Sequence, residues 1–266
     1  MASALRYLAW SKLESTPVAK TNPQDAPLAR TISFIVPAYN EETELPGTLQ
    51  NVHSAAGGVG CDYEIVLVDD GSTDATASIG EKLEARVISI NCRQIAAARN
   101  AGARAATSDV FIFIDADTRI TADHVSGVIG ALDSGYVGGG SRLRVDDKIP
   151  RWGRILFATF TTVYFALQLG AGAFLFTTRA NFFAVGGFDE TYFAGEEILF
   201  TFALKKLGRF KILSEPATTS GRKLRLYSGG EISRHAFALL CGGRRAVMSR
   251  HKLAMWYGGE RERHPG

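Results

Sequence analysis

Residues 110–118, Val-Phe-Ile-Phe-Ile-Asp-Ala-Asp-Thr, limit what this chain can fold into more than any other stretch. Val110 to Ile114 is a short apolar run of β-branched and aromatic residues, as in a strand buried on both faces. It runs straight into Asp115 and Asp117, two carboxylates one residue apart. In an open α/β sheet that C-terminal edge is where ligands bind. Two carboxylates there can hold a hard divalent cation or the hydroxyls of a sugar. Mg2+ is usually held by one or two carboxylates together with substrate phosphates.

The same pattern recurs upstream. Thr31 to Val36 reads as a first strand ended by Pro37, followed by a helix through Leu45, Leu49 and Val52 and a turn at Gly57, Gly58 and Gly60. Glu64 to Val68 reads as a second strand running into Asp69-Asp70-Gly71-Ser72-Thr73-Asp74, with Ser72 or Thr73 placed to cap a helix to about Glu84. Arg86 to Ile90 is a third strand, and Ala96 to Ala106 an Ala-rich helix containing Arg99 and Asn100. Strand, loop and helix in repetition predict a parallel sheet with right-handed crossovers. Three strand ends carry acids: Glu41-Glu42, Asp69-Asp70 and Asp115 with Asp117. One such loop is commonly a helix cap; three on one sheet edge point to a ligand. No Gly-x-Gly-x-x-Gly or Walker pattern follows any strand, so a dinucleotide or P-loop site is not expected.

Downstream, Ile120 to Leu132 reads as a helix and Tyr136 to Val145 as a strand. Arg151 to Leu167 reads as an apolar helix, and Gly170 to Thr178 as extended. Glu196-Glu197 opens a helix to Leu207, its acids well placed in the first turn. Phe210 to Leu213 is a further strand. Ile155 to Phe176 has the length of a membrane span, but Thr159, Thr161, Thr162, Tyr164, Gln168, Gly170 and Gly172 interrupt it, so a helix followed by a buried strand is expected instead.

At 266 residues, with 46% hydrophobic and 21% charged, the chain suits one large α/β domain with appendages. The organisation expected is an N-terminal arm and Pro-containing linker over 1–30, a main domain over 31–225 and a basic helical extension over 226–266. The net charge of +3 is unevenly spread: Ala203 to Gly266 holds fourteen Lys and Arg against four Glu. That end can meet phosphates, anionic lipid or nucleic acid, or simply be a solvated face. Cys61, Cys92 and Cys241 have no metal or disulfide spacing, which points to a reducing, cytoplasmic compartment.

Six segments in order, Val36-Pro-Ala-Tyr-Asn-Glu-Glu42, Val68-Asp-Asp-Gly-Ser-Thr-Asp74, Ala97-Ala-Arg-Asn-Ala-Gly102, Asp115-Ala-Asp117, Gly186-Gly-Phe-Asp-Glu190 and Gly195-Glu-Glu197, resemble the family 2 glycosyltransferases, which have the GT-A fold. The resemblance covers residues 31–215 and implies a Rossmann-like, mostly parallel sheet flanked by helices. It implies inverting transfer from a nucleotide-diphosphate sugar, with UDP the expected nucleotide, to a hydroxyl acceptor, helped by Mg2+ or Mn2+. By position, Pro37, Tyr39 and Glu41 resemble the nucleobase and ribose wall. Asp70 resembles the acid that accepts from the base, and Arg99 a residue near the nucleotide. Asp115 is expected near the ribose or donor sugar, Asp117 on the metal, and Arg222 over the diphosphate. Where the family shows Glu-Asp this chain has Glu196-Glu197. Glu197 falls at the position of the base, with Glu196 as the alternative. A lipid-linked or membrane-near acceptor fits the apolar Ile155–Leu167 segment and the basic end, with the protein peripheral at the inner face of a membrane; no nucleic-acid partner is expected. A sugar nucleotidyltransferase would need a Gly-rich basic loop after the first strand, which Pro37-Ala-Tyr39-Asn40-Glu41 is not. A non-catalytic nucleotide-sugar binder would be expected to have lost the carboxylates that remain here.

Overall fold

The computed structural model describes residues 30–146, 158, 161–162, 164–165, 167–222 and 248. The N-terminal arm, most of the Arg151–Leu167 helix and all of the C-terminal extension except Met248 lie outside the described residues.

The described elements are, in order, β1 (Ile32–Ala38), α1 (Leu45–Val59), β2 (Tyr63–Asp70), α2 (Thr76–Lys82), β3 (Arg86–Ile90), α3 (Ile95–Ala105), β4 (Val110–Ile114) and β5 (Thr118–Arg119). There follow α4 (Ala122–Asp133), β6 (Gly138–Val145), β7 (Phe174–Thr178), α5 (Arg179–Ala184), α6 (Glu196–Leu207) and β8 (Phe210–Thr219). They form one sheet of order β3-β2-β1-β4-β7-β6-β8-β5. The β3-β2-β1-β4 half is parallel, as the strand–helix repetition predicts. The other half is mixed: β7 runs antiparallel to β4 and β6, while β6 and β8 are parallel.

Strand alternation divides the core between the two sheet faces. Val110, Ile112 and Ile114 point to one face with Leu45, Leu49 and Val52 of α1 and Val125 and Val128 of α4. Phe111 and Phe113 point to the other, with Ala96 and Ala98 of α3, Phe182 of α5 and Phe200 and Leu204 of α6. The Ala-rich composition of α3 has a packing reason. A Cβ on Gly102 would lie 2.4 Å from Ile35 Cγ2 and 2.9 Å from Val68 Cγ2, so only a bare backbone lets α3 approach β1 and β2 this closely.

Several boundaries differ from the sequence expectation. Pro37 does not end β1; it pairs with Val68 of β2. The β1–β4 ladder has already ended at Ile35, so no N–H is demanded of Pro37 on that side. Asp69 and Asp70 are the last residues of β2, not of a loop. Neither Ser72 nor Thr73 caps α2; Asp74 Oδ1 accepts from Thr76 N–H at 3.0 Å. Gly57 and Gly58 stay within α1, and Gly60, at φ +69°, makes the turn alone. β8 does not stop at Leu213. A bulge lets it continue, because Leu213 faces Ser141 and Pro216 faces Arg142. Ser141 Oγ donates to Glu215 O at 2.6 Å and accepts from Ala217 N–H at 3.1 Å, which pins the bulge. The extended β8 then pairs with β5 (Thr118 opposite Thr219) and so carries Arg222 back to the Asp115–Asp117 edge. Among the described residues no helix is long and apolar enough to cross a membrane.

Candidate active site

The ten residues singled out in the sequence, Pro37, Tyr39, Glu41, Asp70, Arg99, Asp115, Asp117, Glu196, Glu197 and Arg222, all line one cavity of about 370 Å³. It lies at the C-terminal edge of β1, β2 and β4.

One side of the cavity is made by two loops zipped together. Asn40, in the left-handed region at φ +51°, donates its N–H to Ser72 Oγ and accepts Thr73 N–H. Glu41 N–H donates to Thr76 Oγ1, and Ala75 N–H donates to Glu42 Oε2. The Asp-Asp-Gly-Ser-Thr-Asp segment is thus a brace for the Pro37–Glu42 loop. Asp70 anchors the neighbouring turn. Its carboxylate accepts the N–H groups of Cys92, Arg93 and Gln94 at 2.7–2.8 Å. This holds the turn into α3 and presents Arg93, whose guanidinium lies over the Tyr39 ring 3.1 Å from its centre.

The floor is the Asp115–Asp117 turn. Thr48 of α1 donates to Ala116 O at 2.8 Å, and Thr118 N–H closes onto Asp115 O at 3.0 Å. The Asp115 and Asp117 side chains are 35% and 21% exposed, the former beside Arg99 and the latter beside Arg222. Arg222 makes a two-pronged pair with Glu41, both contacts at 2.9 Å, and its Nη2 stands 3.9 Å from Asp117 Oδ2. Burial works against the Arg222 charge, but Glu41 and Asp117 outweigh it and raise its pKa. The residue expected over a diphosphate is therefore held here by a carboxylate.

The opposite wall hangs from α3. Asn100 binds both backbone groups of Phe188, and Gln94 Nε2 donates to the carbonyls of Glu190 and Tyr192. Gly187, at φ +73°, must lack a side chain, since a Cβ would lie 2.7 Å from Asn100 Oδ1. This segment leads to Gly195, in the left-handed region, which starts α6. Glu196 is 3% exposed and its Oε1 accepts from Arg99 Nη1 at 2.6 Å. Glu197, half-buried, lines the cavity. Burial pushes the Glu197 carboxyl up, the Glu196 carboxylate adds to this, and Arg99 only partly offsets both. Glu197 therefore holds its proton well above the ordinary carboxylate range.

Arg99, expected near the nucleotide, lines the cavity at 2% exposure and sits between Glu196 and Asp115. Among the described residues no three His, Cys, Asp or Glu side chains converge as a metal cage. Asp117, partly exposed in the cavity, fits a hard cation only in company with phosphate oxygens from a substrate, which is the usual way Mg2+ is held. Sequence reading missed Arg93, Gln94 and Thr48. A basic residue between a strand and α3, at the edge already carrying the acids, was the available signal for Arg93.

The model of the family described as Glycosyl transferase family 2 matches residues 33–193. A Shewanella sediminis protein named undecaprenyl-phosphate 4-deoxy-4-formamido-L-arabinose transferase is 33% identical over 130 residues, 46% of this chain and 39% of the relative. A Pseudomonas fluorescens protein of the same name is 34% identical over 131 residues, 46% of this chain and 38% of the relative. The matched region thus spans well under half of those relatives' length. Among solved structures, mannosyltransferase PcManGT from Pyrobaculum calidifontis, in complex with GDP-Man and Mn2+, superposes with a TM-score of 0.61 at 18% identity, covering 95% of this chain and 71% of that one. S. aureus TarS in complex with UDP superposes with a TM-score of 0.58 at 20% identity, covering 72% and 61%. At these identities the likeness is one of fold.

Proposed function

The chain belongs to the family 2 glycosyl transferases and has the GT-A fold, and from that footing we propose that it moves a sugar from a nucleotide-diphosphate donor to an acceptor hydroxyl, with inversion at the anomeric carbon and Glu197 as the base. One observation carries this reading. Glu196 is paired off with Arg99, while its neighbour Glu197 lines the same cavity as Asp115 and Asp117 and holds a proton unusually tightly. A base poised near the working pH is the effective one.

In this reading Pro37 and Tyr39 form the wall for nucleobase and ribose, Arg93 closes that wall, and Asp115 meets the ribose or the donor sugar. Asp117 would hold Mg2+ or Mn2+, which when bound neutralises the charge growing on the departing diphosphate. Arg222, turning from Glu41, offers two parallel N–H donors to the same phosphates. The acceptor oxygen attacks the anomeric carbon from the face opposite the diphosphate. Its proton passes to Glu197, and the electron pair of the broken carbon–oxygen bond leaves with the diphosphate. UDP is the proposed nucleotide. The neighbours support both purine and pyrimidine donors, since PcManGT is described with GDP-Man and TarS with UDP-GlcNAc.

The names of the curated relatives favour a second reading, in which the acceptor is a lipid-linked phosphate. A phosphate monoester is largely ionised at neutral pH and needs no base. The basic C-terminal stretch suits such an acceptor at an anionic membrane surface. A thermal-shift panel of UDP-GlcNAc, UDP-glucose and GDP-mannose, each with and without Mn2+, tests the donor reading. Stabilisation by one donor, deepened by Mn2+, is expected. No shift with any of them would contradict it.

A further inference from the structure

Three contacts radiate from one buried side chain. Arg99 Nη1 donates to Glu196 Oε1 at 2.6 Å, and Nη2 donates to Asp115 Oδ1 and to Gly172 O, each at 3.0 Å. Asp115 follows β4, on the side proposed for the donor. Glu196 opens α6, on the side proposed for the acceptor. The Phe188 ring packs against the guanidinium, 5.3 Å from its central carbon. The surrounding backbone is bare to allow this: a Cβ on Gly172 would lie 2.7 Å from Nη2.

We infer that Arg99 is a positioning residue that ties the donor side of the cavity to the acceptor side, fixing Asp115 and the first turn of α6 in one frame and thereby placing Glu197. The inference rests on the reading of Glu197 as the base. Both terminal nitrogens are already committed to carboxylates, so a nucleotide phosphate could reach Arg99 only by displacing one of them. Arg99 Nε is buried without a partner, which leaves the fork Nη1–Nη2 as the working part of the side chain. A planar fork can hold two carboxylates at fixed spacing, whereas a lysine ammonium is a point charge on a flexible stem. Among the described residues, the groups facing Glu197 are Glu196 beside it, Arg99 from α3 and Tyr164 from the segment before β7. Arg99 is the one cation among them, and it partly offsets the upward pull of Glu196 on the Glu197 carboxyl.

The test compares Arg99→Lys, Glu196→Gln and the double variant with wild type. The first readout needs no turnover. The Glu197 carboxyl is titrated by 13C NMR in protein labelled at glutamate Cδ, its signal assigned by absence from Glu197→Gln. Arg99→Lys is expected to move the Glu197 midpoint upward. Affinity for UDP or GDP with Mn2+, by calorimetry, should fall in Arg99→Lys as well, because Asp115 belongs to the same frame. The second readout is release of nucleoside diphosphate from whichever donor the wild type turns over. Each single variant should lower kcat at least tenfold, and the double variant should be no slower than the slower single one. An unmoved midpoint in Arg99→Lys or strictly additive losses would overturn the inference. Full activity of Glu197→Gln would instead overturn the base reading, and would leave the bridging role of Arg99 to be decided by the titration.

Discussion

Asn100 and Phe188, 88 residues apart in sequence, share a closed pair of hydrogen bonds: Asn100 Nδ2 donates to Phe188 O at 2.8 Å, and Phe188 N–H donates to Asn100 Oδ1 at 2.9 Å. Both contacts are buried. A side-chain amide here does what a neighbouring strand would do, and the segment from Gly186 to Glu197 depends on it for its course. Asn100→Ala would leave two buried backbone groups unpaired, a loss of about 2 kcal/mol or more. Asn100→Asp keeps the acceptor but turns a buried carboxylate toward Phe188 O and the Glu190 carboxylate, both of which Nδ2 serves in the wild type. Urea unfolding should therefore place both variants well below wild type, with Asn100→Asp no more stable than Asn100→Ala, and transfer activity should fall with stability.

Gly172 tests the packing around Arg99. A Cβ there would press on Arg99 Nη2, whose end cannot swing away while Glu196 and Asp115 hold it. Gly172→Ala is therefore expected to lower the melting temperature and to lower kcat at least tenfold. Calorimetry and steady-state rates on the same preparation check this; a variant with wild-type stability and rate would contradict it.

Glu64 offers a pH test of the opposite sheet edge. Its carboxylate accepts from Ser33 Oγ, from Thr107 N–H and Oγ1, and from Arg86 Nη2. Burial raises its pKa, but these hydrogen bonds outweigh burial and bring it down to about 2. A carboxyl depressed in the folded state stabilises fully above its unfolded pKa of about 4.3 and loses that contribution as pH falls through the folded value. Wild type should therefore exceed Glu64→Gln in stability by on the order of 1–2 kcal/mol at neutral pH. The difference should shrink between about pH 4.5 and pH 2. A gap that is constant with pH would contradict the assignment.

Asp117→Asn addresses the cation. With the carboxylate gone, Mn2+ should no longer strengthen UDP or GDP binding, so affinities with and without the metal should converge. A Mn2+ enhancement equal to that of wild type would remove Asp117 from the metal's ligands.

The parallel half of the sheet and the acidic strand ends were legible in the sequence, because they are local: an apolar run, a turn and a carboxylate lie close together along the chain. The start of α6 at Glu196 was legible for the same reason. What was not legible depends on contacts between distant segments. Asn100 could be noted as a motif residue, but its partner at Phe188 is set by the packing of α3. The return of Arg222 to the site required a strand that continues past Pro216, and the bulge that permits this is held by Ser141, 74 residues away from Glu215. Asp70 was expected to face a nucleobase; the loop it holds is invisible until the N–H groups of Cys92 to Gln94 are seen converging on it. Glu197 could be placed at the base position, but its high proton affinity arises from burial and from Glu196 within a folded cavity.

The base assignment meets its most direct test in Glu197→Gln, assayed for transfer and for nucleoside diphosphate affinity on the same protein. Loss of a positioned base should cost about 10²- to 10⁴-fold in kcat, while UDP or GDP binding with Mn2+ stays unchanged. In wild type, kcat should fall on acidification with a limb lying above the ordinary carboxylate range, because the base must be deprotonated to act and burial with Glu196 raises its pKa; that limb should be absent from the residual activity of Glu197→Gln. A Glu197→Gln enzyme that transfers at the wild-type rate, with the same acid limb, would contradict Glu197 as base and point to an acceptor, such as a phosphate, that needs none.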